Sequence, residues 1–186
     1  MAYDSVVTDA MRLGCVDPVT GIFIVPPRLC NLTPILIDTN GDGIKFGARG
    51  DTIWFDLDAN GTDDHVQWVR PGGDEEFLAL DRNGNGIVDD GSELFGSGTP
   101  LELQPDEVAR HGYQALRQYD RKKLGGNNDK RITNKDQIWE RLLLWNDLNA
   151  DGISTENEVT RLSSRGYVGM TTKPQRKRSH FDDAGN

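Results

Sequence analysis

Residues 147–158 read DLNADGISTENE, and this stretch decides how the rest of the chain is interpreted. It places side-chain oxygens at positions 1, 3 and 5, a glycine at position 6 and a glutamate at position 12, which is the pattern of an EF-hand calcium loop. The expected calcium ligands are Asp147, Asn149, Asp151, the carbonyl of Ile153, Thr155 and Glu158. A surface turn with scattered acids is the alternative interpretation.

The same pattern occurs at four earlier places, so the chain carries five candidate calcium loops. Loops 1 to 5 are residues 38–49, 56–67, 81–93, 120–136 and 147–158. The candidate ligands of the earlier loops are Asp38, Asn40 and Asp42 in loop 1; Asp56, Asp58, Asn60, Thr62 and Asp64 in loop 2; Asp81, Asn83, Asn85, Ile87, Asp89 and Glu93 in loop 3; and Asp120, Asn127, Asp129, Arg131 and Asp136 in loop 4. Thr62 and Arg131 are expected to bind through their carbonyls.

Loops 1 and 2 lack a closing acid of their own. Position 12 is Arg49 in loop 1 and Gln67 in loop 2, and neither side chain is a bidentate acid. Loop 1 therefore either borrows an acid from elsewhere or holds no metal. Its Asn-Gly and Asp-Gly steps also fit an ordinary hairpin turn.

Loops 3 and 4 keep a closing acid but change the spacing. Glu93 of loop 3 comes one residue late, and a bulge at Gly91 could absorb the extra residue. Loop 4 has an insert at residues 121–126, and Lys130 stands where glycine is usual. That lysine strains the turn if its position needs a positive φ.

The candidate ligands are all oxygen atoms, and this favours calcium over other ions. Zinc and copper prefer thiolate or imidazole, but no cysteine lies in a loop, and His65 follows the last candidate ligand of loop 2 and is not itself a candidate. Magnesium requires tighter octahedral geometry than mixed carboxylate, amide and carbonyl loops provide. We expect about three to five calcium ions, whose charge turns repulsion among the loop carboxylates into attraction and makes the fold calcium-dependent.

The composition fits many tight turns and an acidic surface. The 186 residues are 35% hydrophobic and include 21 glycines, and the net charge is −9. A surface of that sign repels nucleic acid and anionic membranes and attracts cations. No apolar run is long enough to span a bilayer. The expected partners are calcium ions and neighbouring domains, with no nucleic acid and no membrane span, and the chain is expected to be a monomer.

Apolar periodicity predicts an α+β fold with two different halves. Short apolar runs that flank loops 1 to 3 predict β-strands and hairpins with calcium-binding turns. Helical spacing over residues 108–119, 134–144 and 155–163 predicts an EF-hand-like helix-loop-helix pair that shares its middle helix. The predicted division is 1–33 as a linker or edge segment, 34–100 as the β-rich half, 101–168 as the helical half and 169–186 as a polar tail.

The N-terminal segment indicates where the chain functions. Residues 1–13 lack the basic start and apolar stretch of a signal peptide, so we expect the chain to be part of a larger secreted protein. Cys15 and Cys30 are the two cysteines of the chain. A disulfide between them would suit an oxidising compartment, and two unpaired cysteines fit the sequence equally well.

Several strings follow one another in the order of a known module. They are PILIDTNGDGI, FDLDANGTDDHVQWV, FLALDRNGNGIVDDGSELFG, HGYQALRQYD and LLLWNDLNADGISTENEV. Across about residues 33–166 the chain resembles the calcium-binding self-processing module of RTX-type iron-regulated bacterial proteins and its relatives in large secreted proteins. The resemblance implies a bacterial, secreted setting and calcium-induced folding.

The resemblance also implies calcium-triggered cleavage of an Asp-Pro bond just before loop 1. There the Asp carboxylate attacks its own carbonyl and expels the proline nitrogen, which leaves an anhydride that a lysine amine can trap. The corresponding dipeptide is Thr33-Pro34, and threonine has no carboxylate for this step. Asp17-Pro18 is the Asp-Pro of this sequence, and it also fits an ordinary turn.

The sequence therefore predicts a calcium-binding module of a secreted bacterial protein that folds on binding extracellular calcium, and not an enzyme. Common hydrolase, phosphate-binding and zinc-protease motifs do not occur in it. One alternative is calcium-triggered self-cleavage at Asp17-Pro18. Another is a dockerin-like module, in which calcium loops present helices to a partner.

Overall fold

The computed structural model describes residues 34–48 and 52–173, together with the backbone of residues 7–8. Outside this part lie Cys15, Cys30, Asp17, Pro18, Thr33, Arg49 and residues 174–186. The expectations for those positions stay predictions from the sequence.

β-Strands dominate the described residues. The strands are β1 (Val7–Thr8), β2 (Leu36–Asp38), β3 (Thr52–Phe55), β4 (Asp64–Gln67), β5 (Glu75–Ala79), β6 (Pro100–Leu101), β7 (Gln104–Val108), β8 (Arg131–Ile132), β9 (Leu143–Trp145), β10 (Val159–Arg161) and β11 (Met170–Thr171). The α-helix α1 (Gly112–Arg117) is 6 residues long. Short 3-10 helices occur at Gln118–Asp120, Lys122–Leu124, Trp139–Arg141 and Leu162–Arg165.

Five strands form one antiparallel sheet in the order β1-β2-β5-β9-β10. The central strand β5 pairs with β2, where Leu36 faces Phe77, and with β9, where Leu78 faces Leu144. The sheet thus combines strands from the stretches before and after residue 100. The pairs β3–β4, β6–β7 and β8–β11 form two-stranded sheets.

Hydrophobic clusters cover both faces of the five-stranded sheet. Alternate residues of a strand point to opposite faces, and Ile37 and Leu36 accordingly enter different clusters. Leu144 and Trp145 of β9 divide in the same way, and both are fully buried. One cluster includes residues of α1, and the other includes Phe55 of the β3–β4 hairpin.

The predicted α+β class with an EF-hand-like helix pair in the C-terminal half is wrong. The first predicted helix is shortened to α1 and the 3-10 turn that follows it. Turns, 3-10 helices and the strands β9 and β10 replace the second and third. The described chain is β-rich with one short α-helix, so a dockerin-like arrangement loses the paired helices on which it depends.

The helix prediction failed because a short apolar run fits two different periods. Ile138, Leu142 and Trp145 have helical spacing, but residues 142–145 also form a continuous apolar run. A strand with both faces covered needs such a run. Pairing with β5 on one side and β10 on the other satisfies the backbone groups of β9, so tertiary pairing overrides the helical pattern.

The strand directions place the loops at the two ends of the sheet. Loop 1 follows β2 and loop 5 follows β9, whereas loop 3 follows β5, which runs in the opposite direction. Loops 1 and 5 therefore leave the same end, next to the start of β5. There the amide of Gly72 donates to the carbonyl of Leu148 in loop 5 over 2.7 Å.

Candidate metal centres

All five loops share an unusual backbone. In each loop two residues at positions 4 and 6 have a positive φ: Gly41 and Gly43 (82° and 101°), Ala59 and Gly61 (57° and 84°), Gly84 and Gly86 (82° and 88°), Asn128 and Lys130 (63° and 69°), and Ala150 and Gly152 (56° and 75°). Loop 4 is counted here from Asn127 as position 3. Left-handed residues that alternate with right-handed ones turn successive amide N–H groups to one side of the chain. The sequence predicted glycine at position 6 and missed position 4.

The aspartate at position 1 anchors each turn through its carboxylate. Asp81, for example, accepts the amides of Gly84 (2.6 Å) and Gly86 (2.9 Å). Bonds of 2.7–3.3 Å from amides at positions 4 to 6 reach Asp38, Asp56, Asp120 and Asp147. These charge-assisted bonds hold the five turns in one shape.

Side chains at positions 3 and 5 are held by local hydrogen bonds. In four loops the side-chain oxygen at position 3 accepts the backbone amide of position 5. The donor and acceptor residues are Asp42 and Asn40, Asn85 and Asn83, Asp129 and Asn127, and Asp151 and Asn149. In loop 3 the side-chain amides of Asn83 and Asn85 also donate to Asp89, each over 2.7 Å. Three predicted ligands of loop 3 therefore lie together.

Loops 3, 4 and 5 are each closed by an acid near the end of the pattern. The acids and the amides they accept are Glu93 (Arg82, 2.7 Å; Asp89, 3.1 Å), Asp136 (Asn127, 3.1 Å; Thr133, 2.8 Å) and Glu158 (Leu148, 3.3 Å; Thr155, 3.1 Å). In every case one carboxylate links position 2 or 3 to position 9. The Thr155 hydroxyl adds a bond to Glu158 over 2.9 Å.

The extra residue of loop 3 lies in a turn that packs against loop 2. The amide of Glu93 donates to the carbonyl of Asp90 over 3.2 Å, and this turn brings the late acid back to the loop. Gly91 donates to the carbonyl of Asp56 over 2.8 Å, and a Cβ at Gly91 would lie 1.9 Å from the carbonyl oxygen of Leu57. Glycine is therefore required at this position by close contact.

The insert of loop 4 leaves the loop intact. The amide of Asn128 donates to the carbonyl of Asp120 over 2.8 Å, so the chain returns to the start of the loop after the insert. Asp120 is buried, and its Oδ1 atom receives no hydrogen bond from the described residues. Lys130 has the positive φ that the sequence analysis identified as a source of strain.

Loop 5 is joined to the hydrophobic core through its first predicted ligand. Asp147 is 1% exposed, and its Oδ2 atom accepts the indole N–H of Trp68 over 2.6 Å. Burial raises the pKa of Asp147, although the amides of Gly152 and Asp151 and the Trp68 indole act in the opposite direction. The folded chain therefore holds a carboxylate that needs a positive partner in its ionised form.

Loop 2 collects three carboxylates in one place. Asp56, Asp58 and Asp64 offer oxygen atoms that all lie within 4.8 Å of one another. The Oδ1 atom of Asp58 is buried and receives no hydrogen bond from the described residues. Asn60 and Thr62 belong to the same turn, and the amide of Asn60 donates to Asp56 over 2.9 Å.

An acid from outside the loop pattern, which could not be identified from the sequence, lies next to the carboxylates of loop 1. Oxygen atoms of Asp38, Asp42 and Asp74 lie within 4.8 Å of one another. Asp74 precedes β5 and belongs to no loop pattern, so spacing alone could not identify it. Lys45 forms an ion pair with Asp42, and the hydrogen bond from this lysine lowers the pKa of Asp42.

The donor set fits calcium better than a softer metal. His65, which follows the last candidate ligand of loop 2, packs against Trp54 with the ring centroids 4.7 Å apart and is hydrogen bonded to Thr52 through Nε2 over 2.6 Å. The buried oxygens of Asp58 and Asp120 without a hydrogen bond match the needs of a hard cation. The carbonyls of Thr62, Ile87, Arg131 and Ile153 each follow the second left-handed residue of their loop.

Known proteins place the chain in a family. A family model described as the SPM domain matches residues 35–186. The chain is 39% identical over 139 residues to "Iron-regulated protein FrpA" of Neisseria meningitidis serogroup C. The match covers 74% of this chain and 12% of that protein, so the chain spans a small fraction of its relative. The predicted relation to iron-regulated bacterial proteins is confirmed, and neither match indicates an enzyme family.

The described residues contain no helix with the length and apolar character needed to cross a bilayer.

Proposed function

The chain belongs to the SPM domain family, and on this basis we propose that it is a calcium-binding module whose compact fold is stabilised by the bound ions. The proposal includes loops 1 to 5 as the binding sites. It extends to calcium-induced folding of the module as part of a larger secreted bacterial protein. Cleavage is not part of it, because the dipeptide before loop 1 is Thr33-Pro34.

The burial of unpaired loop carboxylates is the observation that carries the proposal. Asp120, Asp136 and Asp147 are 5%, 3% and 1% exposed, and the closing acids Glu93 and Glu158 are 3% and 9% exposed. Within the described residues, no lysine or arginine forms an ion pair with any of these five acids. Burying an ionised carboxylate without a counter-charge is costly, so a bound cation explains why acids are buried at these positions.

The energetics make the ion important to stability. Two carboxylate charges within the 4.8 Å found in loop 2 repel each other by about 3 kcal/mol or more at an effective dielectric constant of ~20. A divalent cation between them replaces this repulsion with attraction. One site held at a hundredfold excess of calcium over its dissociation constant adds about 2.7 kcal/mol to the folded state. That is a large share of the stability of an ordinary domain.

Contacts between loops allow their sites to support one another. The amide of Gly91 at the end of loop 3 donates to Asp56 in loop 2, and the amide of Val88 in loop 3 donates to the Ser154 hydroxyl in loop 5 over 3.0 Å. An ion that orders one loop therefore reduces the conformational entropy left for the next ion to remove. We expect cooperative binding with dissociation constants of roughly 10⁻⁴ to 10⁻³ M, the range of extracellular modules.

Calorimetric titration of the metal-stripped chain with calcium chloride, with far-UV circular dichroism recorded at each step, tests the proposal. We expect about three to five ions and a gain of ordered structure that follows the binding. The proposal fails if the heat of binding is absent, or if the spectrum and the melting temperature do not change between chelator and saturating calcium.

Loop 5 offers a matched pair of variants. Glu158→Gln removes a buried carboxylate that accepts the amides of Leu148 and Thr155. Glu156→Gln removes the same charge from an exposed position of the same loop. The first variant should lose calcium affinity at loop 5, and the second should bind as the original chain does. Equal losses of affinity in the two variants would show that the net charge of the loop, and not the position of Glu158, determines binding.

A further inference from the structure

Loop 1 lacks a closing acid in its own sequence, but the other loops show what such an acid does. In loops 3, 4 and 5 one carboxylate accepts an amide at position 2 or 3 and another at position 9. The same two connections can therefore be sought around loop 1, without regard to where the acid lies in the sequence.

Two neighbouring acids make similar connections in loop 1, at positions 2, 3 and 8. Asp74 accepts the amide of Asn40, at position 3, over 3.0 Å, and the hydroxyl of Thr39, at position 2, over 3.3 Å. Glu75 accepts the amide of Lys45, at position 8, over 2.7 Å. The early and late parts of the loop are thus linked by two successive carboxylates, where the other loops use one.

Glu75 carries a second observation that points to a cation. It is 1% exposed, and its Oε2 atom receives no hydrogen bond from the described residues. Its side chain is held against loop 1 by the Lys45 amide, and its Cα pairs with that of Asp38, the first residue of the loop. The open side of Gly73 accommodates this carboxylate, because a Cβ there would lie 2.3 Å from Oε2.

We propose that Asp74 and Glu75 complete loop 1 as a calcium site, supplying from the start of β5 the closing carboxylates that position 12 lacks. Asp74 already has an oxygen within 4.8 Å of oxygens of Asp38 and Asp42. The site is then built from two segments separated by a whole hairpin. This inference rests on the proposed function and assigns two residues that no loop pattern contains.

The assignment gives loop 1 a structural role. β2 and β5 are neighbours in the five-stranded sheet, and a cation held by Asp38 together with Asp74 and Glu75 joins the ends of both strands. The segment before β5 also contacts loop 5 through the Gly72–Leu148 bond. Calcium at loop 1 therefore stabilises the same end of the sheet from which loop 5 leaves.

Calcium titration of the full chain followed by NMR tests the assignment, with the amides of Gly41 and Gly43 reporting on loop 1 and that of Gly152 on loop 5. The variants are Asp74→Asn and Glu75→Gln, and Asp106→Asn is the control because Asp106 is an exposed acid outside all five loops. Asp74 is only partly buried, so its variant tests the proposal even if Glu75→Gln fails to fold.

In the original chain and in Asp106→Asn, calcium should shift the Gly41, Gly43 and Gly152 amides. In each loop 1 variant, Gly41 and Gly43 should respond at calcium concentrations about tenfold higher or more, while Gly152 responds as before. The assignment is overturned if Gly41 and Gly43 respond in Asp74→Asn at the same calcium concentrations as in the original chain. It is also overturned if, in the original chain, these two amides never respond while Gly152 does. A chain in which no loop responds would refute the proposed function itself.

Discussion

Replacing Trp68 with phenylalanine should weaken both the fold and calcium binding at loop 5. The indole N–H of Trp68 donates to Asp147 Oδ2 over 2.6 Å, and both groups are buried. Phenylalanine keeps an aromatic ring in the core but leaves that oxygen without the bond. A hydrogen bond to a charged group contributes about 1.5–3 kcal/mol. Without the indole, Oδ2 of this buried carboxylate keeps only the bond from the Gly152 amide, over 2.8 Å.

Trp145 provides the matched control. It lies in the same cluster, its ring centroid is 5.7 Å from that of Trp68, and it is fully buried. Its indole N–H has no hydrogen-bond partner among the described residues. Trp145→Phe therefore loses a similar volume but no hydrogen bond. The cost of the smaller ring is common to both variants, so Trp68→Phe should be less stable than Trp145→Phe by about 1.5–3 kcal/mol.

Urea unfolding of both variants in saturating calcium measures the stability difference. A calcium titration of each measures the affinity, which should fall by about tenfold or more in Trp68→Phe because the lost bond orients a ligand. Equal stabilities and equal affinities of the two variants would refute the reasoning, since the indole bond to Asp147 would then contribute nothing.

Two further substitutions and one incubation have expected outcomes. Gly91→Ala should destabilise the chain by about 3 kcal/mol or more, because the added Cβ meets the Leu57 carbonyl at 1.9 Å. Urea unfolding measures the loss, and an unchanged urea midpoint would contradict the prediction. Lys130→Gly should raise the free energy of unfolding by about 0.5–1 kcal/mol, because it relieves a φ of 69° while adding backbone entropy to the unfolded chain. Thermal unfolding measures this change, and Ala150→Gly is the matched variant because Ala150 also has a positive φ. Both variants should have a higher melting temperature if the positive φ is the source of the strain. Incubation with millimolar calcium should leave the chain intact on a denaturing gel, and a fragment that ends at Asp17 would instead support self-cleavage.

The strands before loops 1 to 3 could be predicted because their apolar runs are short and bounded by turn residues. Residues 52–55, for example, were predicted as a strand and form β3. The region after residue 100 could not be predicted in the same way. The stripe of Ile138, Leu142 and Trp145 fits a helix locally, and only pairing with β5 and β10 decides that its second half is a strand.

The loop residues illustrate a different limit. The sequence pattern located Glu93, Asp136 and Glu158, and the structure joins each to the amides of its own loop. It could not locate Asp74 and Glu75, because the pairing of β2 with β5 brings them to loop 1. Local spacing can identify candidate ligands that are close in sequence, whereas candidate ligands supplied across a sheet depend on strand register.

The most direct measurement of the central claim compares the melting temperature of the chain in saturating calcium with that in excess chelator. Each site held at a hundredfold excess adds about 2.7 kcal/mol, which corresponds to roughly 5–10 °C for a chain of this size. We predict that the calcium-loaded chain melts at least that much higher, and that the chelator-treated chain loses much of its strand signal. Identical melting curves in calcium and in chelator would contradict the claim that calcium stabilises this fold.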